Sequence, residues 1–259
     1  MLEFAERYAS DPGCCQFNFM GRRYCCVFDS KQAKSVLKDV HGKGSIHQAL
    51  TPGTALNTFS LDSNEEWLKR RNLFRHAFSS TVLKHFEYIV KDIVEKMCYD
   101  LDKAAESGDI VLLDEHFQKL AINVICEVAF QYKLEGKFSS ANEKVAKSFE
   151  LVQKLVQYPK LLLRLPSWML HSIGFQSLGQ YKAIHEFMDE LASDIFQHIC
   201  TLEENKELKD NSLAKAIYHF SQADGITKSD VKSEIRLMFI AGFETTGLPS
   251  SFTFSKNTY

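Results

Sequence analysis

The sequence predicts a mainly α-helical fold with a small β-sheet near the N-terminus, and three observations carry that expectation. From Ser63 onward, apolar residues recur every three or four positions in one segment after another. One stretch, "CCQFNFMGRRYCCVF" (residues 14–28), instead alternates apolar and polar positions around Met20-Gly21-Arg22 and reads as two short strands and a turn. The 259 residues are 45% hydrophobic and 12% aromatic, ample for a buried core in one large domain or two small ones.

After the hairpin, "SKQAKSVLKDV" reads as a short helix, and residues 42–57, with Gly42, Gly44, Pro52 and Gly53, as a long loop. Gly42-Lys43-Gly44 lacks the rest of a phosphate loop and reads as a solvated turn. Ser63 precedes Glu66 by three, the spacing of a capping box, so a helix is expected to start there, with Trp67 opening its apolar pattern. Val82, Phe86, Ile89, Val90, Ile93, Val94, Met97 and Leu101 predict one amphipathic helix, and Phe117, Leu120, Val124, Ile125 and Val128 a second. Both stripes are expected to form core. Val145, Phe149, Val152 and Val156 carry a further helix, as do Ile184, Phe187, Leu191, Ile195 and Ile199. Between them, "YPKLLLRLPSWMLHSIGF" is apolar but broken by Pro159, Arg164 and Pro166; it reads as a buried connector, with contact to a bilayer as the alternative. Asp224-Gly225 makes a turn, and Thr227 with Asp230 starts the final helix. No internal repeat is found.

Composition excludes some functions. A formal charge of -2 on 31 basic and 33 acidic residues gives no basic field for nucleic acid and no acidic tail. The seven cysteines include two adjacent pairs, Cys14/Cys15 and Cys25/Cys26; the odd count without a secretory leader predicts reduced thiols. The opening "MLEFAERYAS" is polar, and no stretch supplies the roughly 18 uninterrupted apolar residues of a spanning helix. A reducing, cytosol-facing protein with no membrane anchor in this chain is the expectation.

Two constellations carry chemistry. In "LMFIAGFETTG" (237–247), Ala241 and Gly242 have almost no side chain, so a flat ligand can approach that backbone closely. Glu244 and Thr245 add a carboxylate and a hydroxyl, the pair that a proton-delivery path would use. The same residues also fit a plain helix C-terminus, with Gly247 as stop signal and Pro249 beyond. In "EEWLKRRNLFRHAFSS" (65–80), Trp67 and Arg71 stand four apart, which sets an indole N–H and a guanidinium fork on one helix face, suited to a carboxylate. Arg70 and Arg75 are expected to reinforce the positive field. The alternative is a solvated basic face with a partly buried tryptophan.

Taken together, in this order and about 170 residues apart, the two stretches resemble the cytochrome P-450 family, the haem-thiolate monooxygenases. "EEWLKRRNLFRHAFS" is similar to its WxxxR helix, and "AGFETT" matches its [AG]Gx[DE]T[TS] motif in the long central helix. "INVICEVAFQY", "GRRYCCVFDSKQAKSVL" and "DGITKSDVKSEIRLMFIAGFETT" resemble the neighbouring segments. The resemblance implies haem as cofactor, with Trp67 and Arg71 on a propionate and with Ala241 and Gly242 on the oxygen-binding face. It also implies proton relay by Glu244 with Thr245, and insertion of one oxygen atom of O2 into a small, lipophilic organic substrate. A redox partner, and residence on the cytoplasmic side of the endoplasmic-reticulum membrane for the full-length member, are implied likewise.

The family pattern is followed through residues 1–247, the N-terminal portion of such a domain, and an incomplete cytochrome P-450 fold is the expectation. Residues 248–259, "LPSSFTFSKNTY", show no helical period and are expected to form a divergent, unstructured tail of the kind left by read-through or a frame change. No ExxR segment or FxxGxRxCxG loop follows, and that loop supplies the iron's cysteine ligand in the family, so the chain is expected to be inactive alone. Residues 21–25 spell GxRxC, but Asn18 and Val27 stand where Phe and Gly belong, and the stretch precedes the WxxxR segment, so Cys25 is set aside as a ligand. No metal-binding residues are assigned: no histidine sits in a metal pattern, and His185-Glu186 lacks the second histidine of HExxH. The anchor usual in eukaryotic members is not seen, so Met1 is not expected to be the authentic start. The other reading is a non-catalytic helical binding or scaffold protein derived from the same fold. A metal-free hydrolase finds no nucleophile–base pair.

Overall fold

The computed structural model describes residues 13–19, 22–39, 42, 57–75, 77, 84, 86–134, 136–141, 143–144, 147, 169, 172, 174, 176–210 and 212–257. Two strands, β1 (Cys14–Phe19) and β2 (Arg22–Val27), pair antiparallel with Cys15 opposite Cys26 and Phe19 opposite Arg22. The expected hairpin is therefore present, and its turn residues, Met20 and Gly21, lie outside the described residues. Gly13 holds φ +85 against Asp29, whose Cβ would be 2.9 Å from any Cβ placed there, so glycine is required. Asp29 then caps α1 (Ser30–Asp39): its Oδ1 accepts from the amides of Lys31 at 3.0 Å and Gln32 at 2.8 Å.

The remainder is helical: α2 (Glu65–Arg75), α3 (Glu87–Ser107), α4 (Leu113–Phe130), α5 (Gln176–Glu204), α6 (Leu213–Ser221) and α7 (Lys228–Asn257). The start of α2 corrects the sequence reading by one residue. Asn64, not Ser63, is the cap: its Oδ1 accepts from the Trp67 amide at 2.9 Å. Glu66 is drawn away instead, because Arg70 one turn on binds it at 2.6 Å. The Thr227–Asp230 start of α7 is present as expected, with the Thr227 amide donating to Asp230 Oδ2 at 2.9 Å and the Asp230 amide to Thr227 Oγ1 at 3.2 Å.

The core sits where α4, α5, α6 and α7 meet, built from Ile122, Cys126 and Phe130 of α4, Leu191, Ile195 and Ile199 of α5, Ile217 and Phe220 of α6, and Val231, Ile235 and Phe239 of α7. Along α5 the expected stripe is buried at Ile184, Leu191, Ile195 and Ile199, with Phe187 half-buried. Along α4 it is not: Phe117, Leu120, Val124, Ile125 and Val128 are only half-buried, and Ala121, Ile122, Cys126, Ala129 and Phe130 face the core. Large apolar residues stand on both faces of α4, Ile122 and Phe130 on one and Phe117, Leu120 and Ile125 on the other, so the period alone does not choose the face that packs inward. On α3, Phe86 just before the first turn and Ile93 are buried while Val94 stays exposed, so that stripe is narrower than expected. Of the expected loop at 42–57 only its ends, Gly42 and Asn57, are described; Val145, Phe149, Val152 and Val156, which mark a further helix, and the Pro159–Pro166 stretch of the connector lie outside the described residues.

α7 also departs from expectation at its far end. Gly247 and Pro249 signal a stop and residues 248–259 an unstructured tail, yet the helix continues to Asn257. A proline in a helix interior costs about 3 kcal/mol and removes one amide donor. The long, packed first half of α7 has already met the cost of nucleation, so each further residue needs only to propagate it.

Between α5 and α7 runs a charged seam. Asp189 pairs with Lys232 and, at 3.6 Å, with Arg236; Arg236 also donates to His185 Nδ1, and the Tyr181 ring lies 4.1 Å from that of His185. Burial, and then the Arg236 charge, lower the His185 pKa to about 3. His185 thus stays neutral in the folded chain at pH values where an exposed histidine is protonated. Stability present above about pH 6.5 should be lost as pH falls from there towards 3, at up to about 1.4 kcal/mol per pH unit. Urea unfolding of the purified chain at pH 7 and pH 5 measures this, and His185→Gln should flatten the dependence; an unaltered slope would assign the acid sensitivity to other groups.

Candidate functional site

The site is built on the joint between α2 and α7. Arg70 points into the protein and is 4% exposed. Its Nη2 lies 2.6 Å from Glu66 Oε1 and 3.2 Å from Asp230 Oδ1, its Nη1 lies 3.3 Å from Glu234 Oε1, and the guanidinium carbon sits 5.1 Å from the centre of the Phe220 ring. The expectation that Arg70 adds to an exposed positive field is therefore corrected: three carboxylates neutralise it. The pairing follows from spacing, since Glu66 and Arg70 are i and i+4, while Asp230 and Glu234 stand one turn apart on α7.

A second segment grips the same acid. Glu234 Oε1 accepts from the Thr58 amide at 2.8 Å and its hydroxyl at 2.9 Å, and Asn57 Nδ2 donates to Ser233 Oγ at 3.2 Å. Asn57 Oδ1 in turn accepts from the amides of Phe59 and Ser60, which shapes the 57–60 turn to fit. Burial raises the Glu234 pKa, while Thr58 and Arg70 restrain that rise. For Asp230 burial also acts upwards, but the Thr227 and Arg70 hydrogen bonds outweigh it and leave the carboxyl below its ordinary value. Glu234 Oε2 accepts no hydrogen bond among the described residues, which is where the strain of burying this charge is concentrated.

Arg71, one position along α2, faces the other way. It is exposed, and its guanidinium carbon lies 5.0 Å from the centre of the half-buried Trp67 ring. The sequence-predicted pair is thus brought together, as a cation over an indole. Among the described residues Arg71 has no carboxylate partner. A cation held by an aromatic face does not use its N–H donors for that contact, and a guanidinium's donor set is of the kind that matches a carboxylate.

The second predicted group lies further along α7, from about 10 Å past Glu234 at Ala241 to about 16 Å at Thr245, at 1.5 Å per residue. Ala241 is exposed. Gly242 is half-buried, and a Cβ on it would come 2.9 Å from both Cδ1 and Cγ1 of Ile125 on α4. Here glycine permits α7 to lie against α4, a function that the sequence alone does not reveal. Glu244 and Thr245 fall within the helix, and their side chains lie outside the described residues. The two predicted groups are connected through Arg70 and the first turns of α7. The residues missed from sequence are Asn57, Thr58, Asp230 and Glu234; only the i,i+4 spacing of Glu66 and Arg70 signalled the cluster.

Among the described residues, no group of three or more His, Cys, Asp or Glu side chains could hold a metal ion, and no helix is long and apolar enough to cross a membrane. Cys25 of the GxRxC spelling lies on β2, exposed.

A small hairpin ahead of a helical layer, with a tryptophan–arginine helix fastened to a long helix, defines a mainly α-helical protein with a small β-sheet near its N-terminus. The family model for Cytochrome P450 matches residues 3–256, and the chain belongs to that family. The match runs past Gly247, like α7 itself. Haem is the family's cofactor and monooxygenation its activity. The chain is similar to the protein LUTEIN DEFICIENT 5, chloroplastic, of Arabidopsis thaliana, with 22% identity over 96% of this chain and 43% of the relative. It is also similar to human Cytochrome P450 4X1, with 21% identity over 86% of this chain and 45% of the relative. Cytochrome P450 6a2 of Drosophila melanogaster shows 22% identity, over 91% and 49%. The chain therefore spans less than half the length of these curated relatives.

Two substitutions test the geometry. Arg70→Met leaves Glu234 buried and unpaired and should destabilise the fold by about 3–5 kcal/mol, most of it recovered in the double variant with Glu234→Gln. Additive losses in chemical denaturation would refute direct coupling. Gly242→Ala should lower stability by about 1 kcal/mol net, overpacking against Ile125 outweighing the helical preference of alanine. In an Ile125→Ala background the same substitution should become stabilising; the same sign in both backgrounds would rule out the contact.

Proposed function

We propose that this chain supplies the propionate-holding and oxygen-side parts of a haem-dependent monooxygenase that inserts one oxygen atom of O2 into a small, lipophilic organic substrate. The observation that carries the reading is the common anchorage of its two motifs: Arg70 fixes the helix bearing Trp67 and Arg71 to the same α7 that bears Ala241, Gly242, Glu244 and Thr245. Membership of the family supports it. When bound, haem supplies the oxygen-activating chemistry.

The chain's own residues would do the following. Arg71, steadied by its stacking on Trp67, donates from its guanidinium edge to a propionate carboxylate, and the indole N–H is the second donor. Ala241, with one methyl group and an exposed position, leaves room for a flat ring beside α7. Gly242 sets how close the helix lies to α4, and so where that room opens. The Thr245 hydroxyl can donate one proton while accepting another, and the Glu244 carboxyl is the group to replenish it. The sequence holds no FxxGxRxCxG loop, so the thiolate ligand is proposed to come from outside these residues, and the chain alone is proposed not to turn over. Partnership with an electron-donating protein, and a place on the cytoplasmic side of the endoplasmic reticulum, extend the same proposal.

Titrating the purified chain with ferric haem and following the absorbance change tests the reading. Haem should be taken up, Arg71→Ala should weaken uptake roughly tenfold or more, as expected for a charge-assisted hydrogen bond, and Arg71→Lys should recover only part of it. Uptake indifferent to Arg71, or none at all, would remove the propionate role. The reduced, carbon monoxide-treated sample should lack thiolate-type absorption; its presence would show that a thiol of this chain holds the iron.

A further inference from the structure

The four hairpin cysteines are sorted by the strand register into two sets. Cys15 lies directly opposite Cys26, so both project from one face of the hairpin, while Cys14 (opposite Val27) and Cys25 (opposite Gln16) project from the other. The Phe28 amide donates to the Gly13 carbonyl at 2.8 Å, which makes Gly13 and Phe28 a hydrogen-bonded pair; by the alternation of an antiparallel ladder, Cys15 and Cys26 form one too. Opposed residues in such a pair have Cα atoms about 5.5 Å apart. A disulfide needs about 4.4–6.8 Å. Cys14 and Cys25, whose thiols hydrogen-bond to each other, are diagonal neighbours; the Cα separation typical of that position, about 7–8 Å, exceeds the disulfide window, so no bond closes there without backbone movement.

Cys15 is buried and Cys26 half-buried, both as thiols. The remaining cysteines are not part of this arrangement: Cys98 lies on α3, Cys126 in the core of α4 and Cys200 on α5. Two adjacent thiols of opposed strands on one face are what thiol–disulfide exchange requires, an entry sulfur and a resolving sulfur within bonding reach.

We propose that Cys15 and Cys26 form a thiol–disulfide exchange site that takes a low-molecular-weight disulfide of the glutathione class and closes to a staple across the hairpin. The Cys26 thiolate, the more accessible of the two, attacks one sulfur of the small disulfide; that S–S bond breaks and one small thiol leaves with a proton. The Cys15 thiolate then attacks the Cys26 sulfur of the mixed disulfide, the protein S–S bond forms, and the second small thiol leaves. The two protein thiols are oxidised by two electrons, and the small disulfide is reduced to two thiols. Burial, and then the adjacent Cys26 thiol, raise the Cys15 pKa, which suits a resolving rather than an attacking sulfur.

The test equilibrates the full chain with reduced and oxidised glutathione at several ratios, blocks free thiols, and maps tryptic peptides by mass without reduction. Arg22 and Arg23 separate the two cysteine pairs, so a cross-strand bond appears as one joined species lacking two hydrogens. The double variant Cys14→Ser with Cys25→Ser should keep the cross-link, and Cys15→Ser with Cys26→Ser should lose it. A cross-link that survives in the second double variant, or glutathione adducts without a cross-link in the parent chain, would overturn the proposal.

Discussion

The buried ion pair between Arg70 and Glu234 is the constraint on which the rest of the arrangement depends. Two charges out of water are expensive, and their attraction offsets more of that cost as more of the surrounding donors and acceptors are engaged, Glu234 Oε2 being the acceptor left without a hydrogen bond among the described residues. Here the engagement comes from three separate pieces of chain: Glu66 in the same helix, Asp230 at the start of α7, and the 57–60 turn through Thr58 and Asn57. α2 and the 57–60 turn are both remote in sequence from α7, so the full set of contacts forms only when α2, the turn and α7 are all in place. A contact with that requirement selects one mutual placement of the elements, where apolar packing alone would tolerate several.

Beyond the ion pair, the position of α7 is set by size exclusion. Gly242 meets Ile125, and on the partner helix the buried face is lined by Ala121, Cys126 and Ala129 among larger residues. Small residues on both sides bring two helix axes close, and the flanking Ile122, Phe130, Ile235 and Phe239 lock the contact. The two devices act at successive levels of one helix: charge fixes its first turns, and the absence of a side chain fixes its middle. A residue on α7 between or just beyond these points, Ala241 among them, has its direction set by both.

What the sequence makes legible follows from this division. Hairpin, helix order and the α5 stripe are periodic features, and periodicity reads directly from residue type, so they stand as expected. The α4 face is not legible because large apolar residues occur on both sides of that helix, and tertiary packing decides which side is buried. Asn64 displaced Ser63 as cap because both are competent and the choice depends on where Glu66 is held, a tertiary matter. At the site, Trp67 with Arg71 was legible from a four-residue spacing, whereas Thr58, Asp230 and Glu234 were not, since nothing local marks an acid that will be buried against an arginine some 160 positions away. The continuation of α7 past Pro249 was illegible for a related reason: local signals state the cost of a proline but not the stability already accumulated by the helix it interrupts.

The two adjacent arginines show how one short sequence serves fold and site without conflict. Consecutive residues on a helix are about 100° apart, so Arg70 and Arg71 cannot share a face. Arg70 turns inward to three carboxylates, and its charge is neutralised within the protein. Arg71 turns outward to Trp67, and an aromatic face attracts a cation without using its hydrogen-bond donors. Had a single arginine served both purposes, binding a ligand carboxylate would require breaking a buried ion pair, and affinity would be lost in proportion. With the tasks divided, the ion pair that secures the fold is separate from the outward guanidinium, and the propionate role proposed for Arg71 draws on no buried contact.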